Sequence, residues 1–435
     1  MQSADWRATA RLLRRTGFGT TGSAVDVANR VGVAAHVPAI LGSDPTADVG
    51  ARRTPVPTFD AITPLGRSAS KSEKHQRNQQ IRSQLSSLTT WWIRRMVAVE
   101  EPFGEKLTFV WHNHFATAAT KVRRAGWLAA QNETFRRAGR GDFRSLAMAM
   151  LTDPAMLFWL DGQKNSATAP NENLSREFME LFALGHGDGY TEQDVREGAR
   201  ALTGWRFRPN GTAYLSTRSH DDGTKTLLGV TGNLDTTGFC DAVLSRPASP
   251  HFVASRMWSQ LVSANPPSAA TLDRLVTAYG DQRDLRSLLT AMLTSADFVA
   301  AYGTIVIGPV EWLVGAIRAL RIPIVDDAAA RKVVAVLRTL GQIPFYPPNV
   351  GGWPSGAAWL STAAADARIQ AAAALASQAD LDAIRGSTAA KVDAVAHLLG
   401  VASWSARSTA VLTEAAVDPR RLVAIALNTP EYLTN

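Results

Sequence analysis

Cysteine is nearly absent from the 435 residues, with Cys240 the single one, so the chain can build neither an internal disulfide framework nor a cysteine-rich metal site. No apolar run reaches the roughly 18 residues that a membrane span requires, and no transmembrane segment is expected. The opening stretch MQSADWRATARLLRRTGFG contains Arg14 and Arg15. Neither an apolar run nor a cleavage site follows them, so the stretch does not read as a twin-arginine or other export signal. The common catalytic signatures are missing too. There is no phosphate-cradling glycine loop, no Gly-x-Ser-x-Gly nucleophile elbow and no His-Glu-x-x-His zinc helix, which argues against nucleotide chemistry and familiar serine or zinc hydrolysis. Carboxylates and histidines remain.

What is present suits a helical protein. With 46% hydrophobic residues the chain can bury a substantial core. Its apolar positions recur at three and four residue intervals while β-branched runs stay short, which predicts an all-α, multi-helical fold. The formal charge is +8, and residues 1–130 hold 18 Lys and Arg against 9 Asp and Glu. Such a basic third could attract nucleic acid, acidic glycan or an anionic membrane. However, Arg11, Arg14, Arg15, Arg94, Arg95, Arg123 and Arg124 fall on helical periods and read as solvated faces. No aromatic-rich binding motif accompanies them, so nucleic acid is not expected as a partner.

Along the chain, residues 5–16 and about 22–42 read as two amphipathic helices. The Pro-, Gly- and Ser-rich segment 42–76 reads as a long surface loop. Helical periodicity is nearly continuous over 77–205, with breaks at 102–104, 139–141 and 161–171. Residues 205–235 carry turn residues among short aromatic and Thr-rich runs, which predicts a small β-hairpin insertion. Helices resume to 340, an irregular aromatic loop occupies 345–362, and alanine-rich helices close the chain.

The stretch PNENLSREFMELFALG, residues 170–185, is the most informative. A helix beginning near Asn171 or Glu172 would put Asn173, Glu177 and Glu180 within about 60° of one another at about 100° per residue. Arg176 lies on the margin of that stripe, four residues from Glu180, at pairing distance. Polar and glycine-rich segments flank the helix and would deliver Asp161, His186, Asp188 and Tyr190 to its ends, a convergence that suits a substrate pocket. The bland alternative ties Glu177 and Glu180 to Arg176 and Arg196 in ion pairs that merely organise the core.

Three further segments carry candidate groups. In TFVWHNHFAT, residues 108–117, a helix would set His112 and His114 about 200° apart, too far to share a metal ion. One imidazole would then face the interior and the other a cleft or solvent. In SHDDGTKTLLG, residues 219–229, the later ligands of a calcium loop are missing, and a turn closing a hairpin is the better account. His220 and Lys225 could still reach from that turn toward an anion or a sugar hydroxyl. In FYPPNVGGWPSGAAWLST, residues 345–362, Tyr346, Trp353 and Trp359 could stack on sugar rings, as could Trp205, or could bury the loop beneath themselves.

The ordered blocks ARLLRRTGFG, FVWHNHFAT, DPAMLFWLDGQKN with PNENLSREFMELFALG, YTEQDVREGARALTGW, HDDGTKTLLG, PHFVASRMWSQLV and PPNVGGWPSGAAWLST resemble the bacterial DUF1800 family over about residues 6–375. The resemblance implies one helical unit spanning 1–435. The family name records an unknown function, so block positions transfer and catalytic residues do not. Its members look commonly exported and encoded beside proteins similar to the alkaline phosphatase and sulfatase superfamily, which implies envelope or extracellular work on polymers. The expected function is a hydrolase acting on a carbohydrate or other polyhydroxylated substrate. Glu177, Glu180 and His112 would be catalytic, and His114, Asn173, Arg176, Asp161, Asp188, Trp205, His220, Asp222 and Trp353 would bind substrate. No resident cofactor is expected. Two alternatives stand beside this reading: a divalent-metal hydrolase with Glu177, Glu180 and histidine ligands, and a non-catalytic glycan-binding or assembly protein.

Overall fold

Short polar side chains set where the helices begin. Ser70 and Glu73 form a reciprocal capping box at the start of the Lys71–Ala98 helix, Thr191 and Asp194 do the same for Glu192–Ala201, and Asp153 caps Pro154–Trp159. Each satisfies backbone N–H groups that a helix end leaves without partners. The computed structural model describes residues 2–434 apart from 63, 64, 67, 188 and 209. Of the chain, 62% is helical and 4% lies in strands, so the fold is all-α with minor β structure.

The β insertion comprises two hairpins rather than one. β1 (Trp205–Phe207) pairs antiparallel with β2 (Ala213–Leu215), and β3 (Lys225–Leu227) pairs with β4 (Val230–Gly232). The expected helix over 22–42 is broken into Gly22–Val31 and Val33–Gly42, which meet at 102° across Gly32, whose φ is 82°. Glycine adopts that conformation without a Cβ clash. The segment expected as loop from 42 to 76 contains a short helix, Val49–Arg53. Among the described residues, no single helix is long and apolar enough to cross a membrane.

Two hydrophobic clusters organise the interior. One gathers Trp92, Trp312, Leu313, Leu337 and the C-terminal helices; the other gathers Trp111, Phe115, Phe143, Phe182, Met257 and Leu289. The Phe103–His114 helix lies at their seam. Its Leu107, Val110 and Trp111 belong to the second cluster, while Phe109 packs against the first.

Several arginines expected on solvated faces are buried. Arg11, Arg14, Arg15 and Arg95 are each no more than 5% exposed. Arg15 donates to the carbonyls of Gln260 and Leu261, and Arg11 to that of Val262, at the C-terminal end of the Ala248–Leu261 helix. Those carbonyls have no intrahelical donor and sit at the negative end of the helix dipole, so a guanidinium satisfies both needs. Two carboxylates, buried Glu105 and partly buried Glu311, complete the charge balance. Glu105 accepts from Arg95 at 2.6 Å, from Arg136 at 2.7 Å and from the Trp92 indole at 2.8 Å, and Glu311 accepts from Arg15 and Lys106.

Candidate functional site

The tripeptide His112-Asn113-His114 ends its helix, and each of its side chains ties down a different segment. His112 is 1% exposed, and its Nε2 accepts the backbone N–H of Phe345 at 3.1 Å. Its ring sits among Trp92, Phe345 and Trp353. Burial pushes its pKa down to about 3, so it stays neutral. A ring nitrogen committed to a backbone amide in a dry environment cannot serve as the catalytic base expected of it. Asn113 accepts the backbone N–H of Trp353 at 2.8 Å and donates to Gln260 at 3.1 Å. His114 donates from Nε2 to the carbonyl of Phe182 at 3.0 Å. Its pKa is pushed down to about 3 by burial and then by the nearby Arg256 guanidinium.

The 170s segment starts later and winds differently from an ordinary helix. An α-helical turn, Asn173–Glu177, runs directly into a π-helix, Phe178–Ala183. The Asn171 side chain accepts the N–H of Asn173, and the Leu184 N–H reaches back to the Met179 carbonyl. Single-turn π segments are rare and concentrate at functional sites. Here the wider turn keeps Phe178, Met179, Phe182 and Ala183 buried while Glu180 and Leu181 stay partly exposed. Arg176 pairs with Glu172 and Glu192 at 2.7–2.8 Å, and Arg196 donates to Gln193. Neither arginine neutralises Glu177 or Glu180, as both the expected Arg176–Glu180 pairing and the core-organising alternative required.

A small cavity of about 130 Å³ opens beside the π-helix, lined by His114, Glu180, Leu181, His186, Phe252, Arg256 and Gly351. Glu180 Oε1 lies 2.7 Å from His186 Nδ1, within ion-pair distance. Three glycines with positive φ, Gly185, Gly187 and Gly189, shape the turn that carries His186. A Cβ on Gly185 would approach Phe252 to 3.0 Å. Glu177 stands nearby without a hydrogen bond or ion pair among the described residues, its carboxyl raised by burial and then by the Glu180 charge. The Tyr190 hydroxyl is raised by the same causes. Larger concavities, up to about 910 Å³, lie elsewhere. Among the described residues, none of four larger concavities holds two imidazoles with a carboxylate.

The remaining expected site residues that the structure describes do not join this cavity. Asp161 is neutralised by Lys121 and Lys164, each at 2.8 Å. Asn173 is exposed, Asp222 is an exposed turn residue, and His220 donates from Nδ1 to the Thr203 carbonyl at 2.9 Å. The Asp221-Asp222-Gly223 turn is held by buried Lys225, which donates to the carbonyls of Asp221 and Gly223. The Trp205 indole donates to Thr236. Trp353 is buried with one ring face stacked on Phe109 at 5.4 Å, so it closes its own loop rather than offering a platform to a sugar. Asp188 lies outside the described residues. No group of three or more His, Cys, Asp or Glu side chains among the described residues could hold a metal ion, and His112 is withdrawn from the ligand set that the metal reading needed.

Arg256 and Phe252 are the wall residues that sequence reasoning did not single out. They stand four residues apart on the Ala248–Leu261 helix, so they share a face. That spacing inside PHFVASRMWSQLV is the signal available in the sequence. No curated protein and no solved structure matches the chain. The family model described as "Protein of unknown function (DUF1800)" matches residues 11–434, and the chain therefore belongs to the DUF1800 family.

Proposed function

We propose that the chain is a hydrolase for a carbohydrate or other polyhydroxylated substrate of the cell envelope, working by carboxylate acid–base chemistry at Glu177, Glu180 and His186. The observation that carries this reading is the 2.7 Å contact between Glu180 and His186 at the cavity beside a half-buried carboxyl, Glu177, that burial and the Glu180 charge push upward. Glu180, 2.7 Å from His186 Nδ1, orients the imidazole so that Nε2 takes a proton from an attacking water. Glu177 in its protonated form, which burial and the Glu180 charge favour, gives its proton to the leaving oxygen. The water adds to the substrate, the leaving group departs as an alcohol, and the two side chains re-equilibrate their protons through solvent. The cavity is smaller than the roughly 300–1,000 Å³ of most small-molecule sites, which favours a terminal residue of a chain over its middle.

The test is to incubate the purified protein with cell-envelope polysaccharides and measure released reducing ends. Release that falls about 100-fold or more in Glu177→Gln and in Glu180→Gln supports the assignment, since general acid–base groups contribute about 10²–10⁴-fold. Saturable oligosaccharide binding that survives Glu177→Gln without any products would instead assign the cavity to a non-catalytic glycan-binding protein.

A further inference from the structure

Arg256 is a partly buried cation whose surroundings do not match its charge. Burial lowers its pKa with no carboxylate to compensate, its Nε is buried without a hydrogen-bond partner, and its guanidinium forms no ion pair among the described residues. The guanidinium nevertheless lines the cavity with His114 and Glu180. Buried charges are normally paired and hydrogen-bonded, because an unpaired one keeps its full desolvation cost. A guanidinium presents a planar fork matched to the two oxygens of an oxyanion.

We infer that Arg256 recognises an oxyanion in this cavity, so that the substrate is an acidic sugar or related polyol bearing a carboxylate, sulfate or phosphate. This rests on the proposed reading of the cavity as the substrate site. Leu181 and Phe252 supply apolar walls, and the Glu180–His186 pair sits in the same small space. One anionic group and one ring substituent would fill the cavity.

The test reads binding rather than turnover. Glucuronate, galactose 6-sulfate, glucose 6-phosphate, inorganic phosphate and neutral glucose are titrated while the His114 and His186 imidazole resonances are followed. Saturable shifts are expected with at least one acidic sugar and not with glucose. That affinity should weaken at least tenfold in Arg256→Gln and be partly retained in Arg256→Lys. The ranking of the three acids identifies the anion. Equal response to glucose and glucuronate, no response to any acid, or acid binding unchanged in Arg256→Gln overturns the inference. Thermal unfolding gives a second readout. Removing an unpaired, partly buried charge should raise Tm in Arg256→Met, and a lowered Tm would mean that protein groups already hold Arg256. Acid binding without released reducing ends leaves this inference standing and removes the hydrolase. Release from a neutral polysaccharide that is indifferent to Arg256→Gln does the reverse.

Discussion

At the scale of single residues, burial decides which titratable groups can act. His112 and Glu177 both stood out as chemistry-bearing, yet His112 is sealed among aromatic rings with its Nε2 occupied, whereas Glu177 is half-buried and unpartnered. Asp153 is the sharper test of what burial does here. It caps its helix, accepts from Gln131 at 2.7 Å, and is pushed up to about 7 by burial. Between pH 4 and 7 the folded chain therefore holds a proton that the unfolded chain has released. The contribution of Asp153 is fully present below about pH 4 and is lost as pH rises through about 7. Asp153→Asn keeps a capping oxygen without the charge, and should be more stable than the parent at pH 8 by roughly 1–3 kcal/mol with no such gain at pH 4. Thermal unfolding at the two pH values checks it. The sequence displayed Glu177, Glu180, His186 and Tyr190 because they are close along the chain. Arg256 was hidden because it lies at least 66 positions away along the chain, and one arginine at an amphipathic position carries no sign of being left unpaired.

At the scale of elements, the candidate site depends on three segments meeting at the end of the Phe103–His114 helix. Helical periodicity identified that helix and the surrounding ones. It could not identify the π-helical winding of Phe178–Ala183, since an N–H that bonds five residues back instead of four reflects packing against partners distant in sequence. Nor could it show that the loop beyond Phe345 would fold inward, because tryptophans on irregular backbone suit either a platform or a plug. The close approach of that loop can be tested at Gly352. Its φ is 89°, and a Cβ there would come within 2.5 Å of the Asn113 carbonyl oxygen. Gly352→Ala should lower stability by about 1–3 kcal/mol through strain and should weaken the Trp353–Asn113 hydrogen bond. Urea unfolding measures the first effect. If stability is unchanged, the loop is not anchored as described.

At the scale of the whole molecule, two hydrophobic clusters meet along a seam crossed by buried ion pairs. Composition announced the core, but the default expectation that charges face water misplaced Arg11, Arg14, Arg15 and Arg95. What draws them in is a set of helix-end carbonyls and the carboxylates of Glu105 and Glu311, none of which is visible before the helices pack. Glu105 is held down at about 2 despite its burial by the adjacent Arg136 and Arg95 guanidiniums. Its contribution is therefore present above its usual range near 4.5 and lost as pH falls through about 2. Glu105→Gln would leave two buried guanidiniums short of a counter-charge and should cost about 3–5 kcal/mol, seen as a reduced urea midpoint at neutral pH. A near-neutral substitution would contradict the organising role of this cluster. The packing so arranged brings a carboxyl that resists ionisation next to a carboxylate–imidazole pair, and the most direct measurement of that claim is a carbon-13 NMR titration of the Glu177 carboxyl in the folded protein. The account predicts a midpoint above the ordinary 4.5 that moves back toward 4.5 in Glu180→Gln. A midpoint at or below 4.5, or one indifferent to Glu180→Gln, would contradict it.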